Sequence, residues 1–228
     1  MGKRIISQAR GHGSFSYRVR RAAYSLKPCY PLNLNGEWEV VNLLTEAGHT
    51  APVAVLRNVS GKTFQNFAVK GLYVGQKITF NGTKAGDVAC LNKLQNGTKI
   101  FNMELRLNDG GKLVRTGGNS ATIMSNEGKT VKVMMPSKEE KIFDGVCRVT
   151  VGEIAGQGRL EKPILKAGKM FFIKKTRNKL WPRTSAIKMN IIDHPFGSGR
   201  GKRPKSKIVK RMAAPGQKVG HLLSLIHI

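Results

Sequence analysis

The side chains that could carry reaction chemistry are few and scattered. Asp193 and His194 are neighbours in Asp193-His194-Pro195-Phe196-Gly197-Ser198-Gly199. A carboxylate beside an imidazole can orient it and raise its pKa. Hydrolysis would also need a nucleophile and an oxyanion site, and no such constellation accompanies the pair. Cys29, Cys90 and Cys147 lie far apart with no Cys-x-x-Cys pair, so they read as reduced thiols rather than as a zinc site or a disulfide framework. The glycine-rich stretch Gly152-Glu153-Ile154-Ala155-Gly156-Gln157-Gly158-Arg159 matches neither a phosphate loop nor a dinucleotide fingerprint. It reads as a tight backbone path close to RNA or to the second barrel. No catalytic residue, metal site or cofactor is expected.

The chemistry that remains is that of cations. The 228 residues hold 40 Lys and Arg against 13 Asp and Glu, a net charge of +27. Residues 1–36 contribute +7, residues 37–160 contribute +5 and residues 161–228 contribute +15. Such an excess repels itself unless a polyanion neutralises it. Lys and Arg neutralise phosphates and release counterions, and Arg can clamp a phosphate with two hydrogen bonds. The densest run is Arg200-Gly201-Lys202-Arg203-Pro204-Lys205-Ser206-Lys207, continued by Lys210-Arg211. Glycine lets backbone amides approach phosphate oxygens, and proline keeps the strand extended. Tyr17, Tyr24, Phe171, Phe172 and Trp181 are placed among these charges and could stack on unpaired bases. A membrane surface fits less well, because neither end shows an amphipathic helix with a clean apolar face, and no apolar run is long enough to span a bilayer.

The near-neutral middle must position these ends. Glu37–Val41, Ala51–Leu56, Lys77–Phe80, Ala121–Met124 and Thr130–Met135 are short, β-branched and partly alternating, which predicts strands. Between them stand turn signals at Asn35-Gly36, Asn81-Gly82, Asn96-Gly97, Asn108-Asp109-Gly110-Gly111 and Glu127-Gly128. Short strands with hardly any helical period predict an all-β pair of small barrels, cut near Gly86–Asn96. The expected organisation is a basic extension over 1–36, barrels over 37–90 and 91–160, and a second basic extension over 161–222. Residues 161–221 cannot bury enough apolar surface to offset their own ordering entropy, so this arm is expected to order along a nucleic acid.

Longer motifs then carry a resemblance. Trp181-Pro182-Arg183-Thr184-Ser185-Ala186-Ile187-Lys188-Met189-Asn190-Ile191-Ile192-Asp193-His194-Pro195-Phe196-Gly197-Ser198-Gly199 closely resembles a signature of the universal large-subunit ribosomal protein two family, protein eight in the eukaryotic numbering. Gly2–Gln8 looks like that family's N-terminus, and Asp109–Arg115 with Gly118–Ala121 looks like its G-K-[LF]-[AV]-R block. Cys147–Gly152, Lys162–Gly168 and Ala214–Gly220 look like the blocks that follow, so the similarity covers about residues 1–220. It is of the cytosolic eukaryotic and archaeal type.

The resemblance implies an oligonucleotide-binding (OB) barrel followed by an SH3-like barrel, with basic arms threaded into large-subunit rRNA. It implies other ribosomal proteins as partners, an indirect link to bound tRNA, support of subunit association, a cytoplasmic location and no homo-oligomer. The loop matching 189–199 would approach the peptidyl-transferase region, where RNA performs the chemistry and His194 at most assists. The residues expected on RNA are Lys3, Arg4, Arg10, Arg18, Arg20 and Arg21 at the start, and Lys112, Arg115 and Arg159 in the middle. In the second arm they are Lys162, Lys166, Lys169, Lys174, Lys175, Arg177, Trp181, Arg183, Lys188, Asn190 and His194. Arg200, Lys202, Arg203, Lys205, Lys207, Lys210, Arg211 and Lys218 complete the set.

Three departures from the family pattern surround His194. A glycine is replaced by Ala186, where a backbone of positive φ would be strained. A proline is replaced by Ile191, and the middle of three glycines by Ser198. The last residues, Leu223-Ser224-Leu225-Ile226-His227-Ile228, can be written CTG TCT CTT ATA CAC ATC, which looks like a sequencing adapter. Residues 223–228 are therefore expected to be an artefact. The rival functions are a basic DNA- or chromatin-binding protein and a hydrolase built on Asp193 and His194.

Overall fold

The computed structural model describes residues 3, 5–6, 10–18, 23–194 and 196–197. Arg4, Arg20, Arg21, Ser198, the cations from Arg200 to Lys218 and the segment 223–228 lie outside the described residues. The chain divides into two compact units, Arg21–Leu165 and the combination of Met1–Arg20 with Lys166–Ile228.

The Arg21–Leu165 unit is all-β, as its short β-branched segments lead one to expect. Strands β1 (Glu37–Leu44), β2 (Val53–Asn58), β3 (Thr63–Phe67) and β4 (Lys77–Thr79) form an antiparallel sheet in the order β3-β2-β1-β4. A bulge between Val40 and Asn42 interrupts the register of β1 on β2. Alternation sets which side chains turn inward. Trp38 and Val40 are buried while Glu37 and Glu39 face out. Trp38 meets Phe64 edge to face at 4.7 Å within a core that includes Tyr30, Leu56 and Ile78.

The second sheet runs in the order β5-β10-β6-β7-β8-β9. Its strands are β5 (Val88–Cys90), β6 (Lys99–Phe101), β7 (Ala121–Asn126), β8 (Thr130–Met134), β9 (Glu140–Asp144) and β10 (Arg148–Val151). Strand β5 precedes the expected cut at residue 91, yet it pairs antiparallel with β10 through Arg148↔Cys90 and Thr150↔Val88. The second sheet thus begins inside the Gly86–Asn96 window, not after Cys90. Two antiparallel sheets of this kind are consistent with small barrels. A third apolar cluster, with Val53 and Phe67 from the first sheet, Phe101 from the second and Ile154, joins their cores.

Polar groups are buried at the same junction, and nearly all find partners. Tyr30 donates its hydroxyl hydrogen to the Asn102 carbonyl at 2.8 Å and also contacts the Thr150 hydroxyl. The Asn66 amide donates to Thr150 Oγ1 at 3.0 Å, and the Asn102 amide donates to Asn66 Oδ1 at 2.9 Å. Glu104 and Arg148 form an ion pair of 2.6 Å with side chains 0% and 5% exposed. The same guanidinium donates to the Pro31 carbonyl at 2.6 Å, so it ties the segment before β1 to the second sheet. Burial raises the Tyr30 hydroxyl pKa and pushes the Cys147 thiol up to about 11, so neither ionises at neutral pH.

The glycine-rich stretch follows a tight path between both sheets' sides: the Gly152 amide donates to the Lys99 carbonyl, and the Ala155 amide donates to the Ala68 carbonyl. Gly152 has φ +115°, and a Cβ there would come within 2.5 Å of Val69. Gly111 is more constrained. Its φ is +85° and an added Cβ would lie 2.7 Å from the Asn102 carbonyl oxygen. Gly111→Ala should therefore cost about 1–2 kcal/mol from left-handed backbone strain alone, with more from the displaced carbonyl. A urea midpoint lowered accordingly is the expected result, and an unchanged midpoint would contradict it.

Candidate nucleic-acid interface

In the unit made from the two chain ends, Lys166 leads into helix α1 (Ala167–Thr176), Ala-Gly-Lys-Met-Phe-Phe-Ile-Lys-Lys-Thr. This helix was not legible in the sequence as more than part of a basic extension. Lys174 and Lys175 in its last turn favour the negative end of the helix dipole, and Thr176 returns its hydroxyl to the Ile173 carbonyl. None of its residues is buried. Phe171 and Phe172 are 40% and 65% exposed. Ten residues make a marginal helix in water, so contacts such as those of Phe171 with the cleft shared by Phe15 and Trp181 help to hold it.

Past Trp181, a 3-10 turn at Ala186–Lys188 leads into a turn in which the Asp193 and His194 amides both donate to the Asn190 carbonyl, at 3.0 and 3.1 Å. Ala186 is not left-handed, so the substitution of glycine brings no strain there. Ile191 sits exposed on the turn. Gly197 is buried, and a Cβ on it would come 2.7 Å from the Asn190 carbonyl carbon. Lys3 adds to this loop from the start of the chain: its amide donates to the Ile192 carbonyl at 2.8 Å, and its Nζ lies 3.1 Å from the Asp193 carboxylate.

Together these segments surround an open cleft of about 540 Å³ lined by Lys3, Arg183, Lys188, Asn190, Asp193 and His194. Five expected RNA-binding residues, Lys3, Arg183, Lys188, Asn190 and His194, are thereby brought to one place from opposite ends of the chain. The acid–imidazole pair is not coupled as the hydrolytic rival requires. Asp193 is engaged by Lys3, while His194 Nδ1 accepts a hydrogen bond from the Phe196 amide at 3.1 Å. With Nδ1 accepting, the neutral ring carries its proton on Nε2.

Lys166, Lys169, Lys175 and Arg177 are exposed and Lys174 is half-buried; Lys162, exposed as well, belongs to the Arg21–Leu165 unit. Arg18 lies over the Phe15 ring at 5.6 Å, and Lys175 over the Phe171 ring at the same distance. Nothing is described for the Arg10 side chain. Among the described residues of this unit stand eleven Lys and Arg against one carboxylate, Asp193.

The expected residues of the other unit are placed differently. Lys112 is exposed, 3.9 Å from Asp109. Arg159 is exposed and donates to the Gly117 carbonyl at 3.4 Å. Arg115 turns inward: it donates to the Pro28 carbonyl at 2.7 Å and its guanidinium lies 4.8 Å from the centre of the Phe67 ring. Burial lowers its pKa from the ordinary arginine value, but not its charge at neutral pH. Phe15 and Lys179, which line a cleft with Phe171 and Trp181, were not among the residues expected on RNA, although basic and aromatic residues alternate around them. No group of three His, Cys, Asp or Glu that could hold a metal ion occurs among the described residues, and no described helix is long and apolar enough to cross a membrane.

Comparison with known proteins adds an independent observation. The family model described as "Ribosomal Proteins L2, C-terminal domain" matches residues 84–214. A protein of Korarchaeum cryptofilum named large ribosomal subunit protein uL2 is 37% identical, with 97% of this chain and 94% of that protein covered. A protein of the same name in Methanococcoides burtonii is 40% identical, with 97% of each chain covered. The one in Methanococcus maripaludis is 38% identical, with 98% of each covered.

Proposed function

The chain belongs to the uL2 family of large-ribosomal-subunit proteins, and from that premise we propose that it is a structural constituent of the cytoplasmic large subunit which holds rRNA mainly through the unit made of its two ends. The observation that carries the reading is the charge of that unit: eleven described cations and a single carboxylate, itself engaged by Lys3. A surface of this kind binds a phosphate backbone with little regard to sequence and fixes the position of the protein on it. The all-β unit is its mount, presenting Lys112 and Arg159 as further phosphate ligands. The cations from Arg200 to Lys218 extend the same contact.

The loop carrying His194 lies on the side of this interface that meets the peptidyl-transferase region, close to where tRNA is held. Its part there is to support RNA that does the chemistry. The arrangement favours this over hydrolysis, since Asp193 is paired with a lysine and the imidazole is oriented by a backbone amide. Contacts with other ribosomal proteins and a role in subunit association belong to the same reading, on the strength of the family resemblance.

Co-sedimentation tests the proposal against a chromatin or DNA-binding role. A tagged full-length chain expressed in an archaeal host should migrate with large subunits and stay with them through a high-salt wash. Recovery in the nucleoid fraction, with large subunits free of the tag, would reject it.

A further inference from the structure

Two clefts adjoin at Trp181. One, of about 270 Å³, is walled by Phe15, Phe171 and Trp181 with Lys175 and Lys179 at its edge. The other, of about 220 Å³, shares Lys179, Leu180 and Trp181 and adds Lys174 and Arg183. The second cleft also takes in Ile6 and Tyr17, so aromatic rings and cations lie together on both sides of Trp181, with phenylalanines in the first cleft and Arg183 in the second. Phe15 is 92% exposed, with the Arg18 guanidinium 5.6 Å from its ring centre. No carboxylate lines either cleft.

Taking the proposed rRNA-binding role as its basis, we propose that this pair of clefts receives an unpaired nucleotide of the RNA, with its base among Phe15, Phe171 and Trp181 and its phosphates on Lys174, Lys179 and Arg183. Every base has a flat π-face that stacks on aromatic rings whatever its sequence, and phosphates supply the charge complementary to the second cleft. Base-paired RNA would hide its bases and leave the rings uncovered, so the site selects a bulged or single-stranded position. A cationic peptide could also stack on the rings, but the lysines and the arginine around Trp181 would repel it.

The experiment uses the full chain, an eight-nucleotide oligouridylate and an abasic ribose-phosphate oligomer of the same length. Trp38 is only 4% exposed in its sheet, so a change in tryptophan emission on adding RNA reports Trp181. The oligouridylate should quench that emission and bind roughly tenfold more tightly than the abasic oligomer, in keeping with the cost of about 1–3 kcal/mol measured when a stacking residue is removed. Phe15→Leu and Phe171→Leu should each reduce the preference for bases while leaving the salt dependence of binding unchanged. Because both residues are exposed, neither variant should alter folding, which a circular dichroism spectrum checks. Equal affinity for the two oligomers with no quenching would overturn the nucleotide site and leave the general RNA-binding role standing. Failure of both oligomers, and of structured rRNA, to bind at physiological salt would sink both readings.

Discussion

Arg148→Met should lower the stability of the protein by about 3–5 kcal/mol, the largest single-residue effect in the folded core. Arg148 reaches Glu104 through its Nε and Nη2 groups and reaches the Pro31 carbonyl through Nη1. Glu104 is fully enclosed. Taking away the guanidinium leaves a carboxylate with no cation in a dry site and frees the segment before β1. The carboxylate has a second duty, since it accepts backbone hydrogen bonds from Gly110 at 3.1 Å and from Arg148 itself at 2.9 Å. Combining Arg148→Met with Glu104→Leu would remove the stranded charge but leave two buried N–H groups unsatisfied, each costing about 1–3 kcal/mol. Combining it with Glu104→Gln keeps an acceptor without the charge. The glutamine pair should therefore recover more stability than the leucine pair in urea titrations followed by fluorescence. A loss below about 1 kcal/mol in the single variant would mean that the pair behaves like an exposed salt bridge.

The turns were the most legible part of the fold, and their physics explains why. Gly36, Gly97 and Gly128 all have φ near +80°, which only glycine adopts without strain. At Asn81-Gly82 it is the asparagine that is left-handed, at φ +62°, while Gly82 gives way to the Asp87 carboxylate and Thr79. Of the strands read from the sequence, β1, β4, β7 and β8 have a wetter face that makes the period visible, while β2 was read from its β-branched run although Val53, Ala54 and Leu56 are all buried. Those missed lack that signature. In β10 all four residues are buried and the first is an arginine, which no alternation reveals. In β3 the buried set includes Asn66, whose hydrogen bonds rather than its hydropathy place it inside. In β9 a single inward residue, Phe143, is too little to define a period. Helix α1 was missed for a related reason. Its apolar and basic residues are distributed around the axis, and none of them is fully buried.

Of the site, the residue types were legible and their grouping was not. Basic and aromatic residues at both ends foretold a polyanion-binding unit. Nothing in the spacing foretold that Lys3 would seat itself on the turn at Ile192 and Asp193, because that contact joins residues almost a chain length apart. Arg115 shows the opposite case: a basic residue in a basic protein whose guanidinium is engaged by Pro28 and Phe67, a fact visible only once the chain is folded.

That contrast sets up the second large effect, which separates cations that hold RNA from cations that hold the fold. Lys169, Lys174, Lys175, Arg177, Arg183 and Lys188 form no ion pair among the described residues. Each that contacts a phosphate releases counterions on binding and adds roughly 0.7–0.9 to the slope of log affinity against log salt. Replacing all six with glutamine should flatten that slope by roughly 4–5 for large-subunit rRNA and weaken binding by several orders of magnitude at low salt. The urea midpoint should stay near that of the parent, because none of the six is buried. Arg115→Gln should do the reverse. It should lower the midpoint, since it removes a guanidinium packed on Phe67 and bonded to Pro28, and leave the salt slope where it was. The two measurements on the two proteins thus cross. A slope that falls in Arg115→Gln as much as per residue in the sixfold variant would return Arg115 to the RNA surface. A slope unmoved in the sixfold variant would mean that the unit around α1 does not bear on phosphate at all.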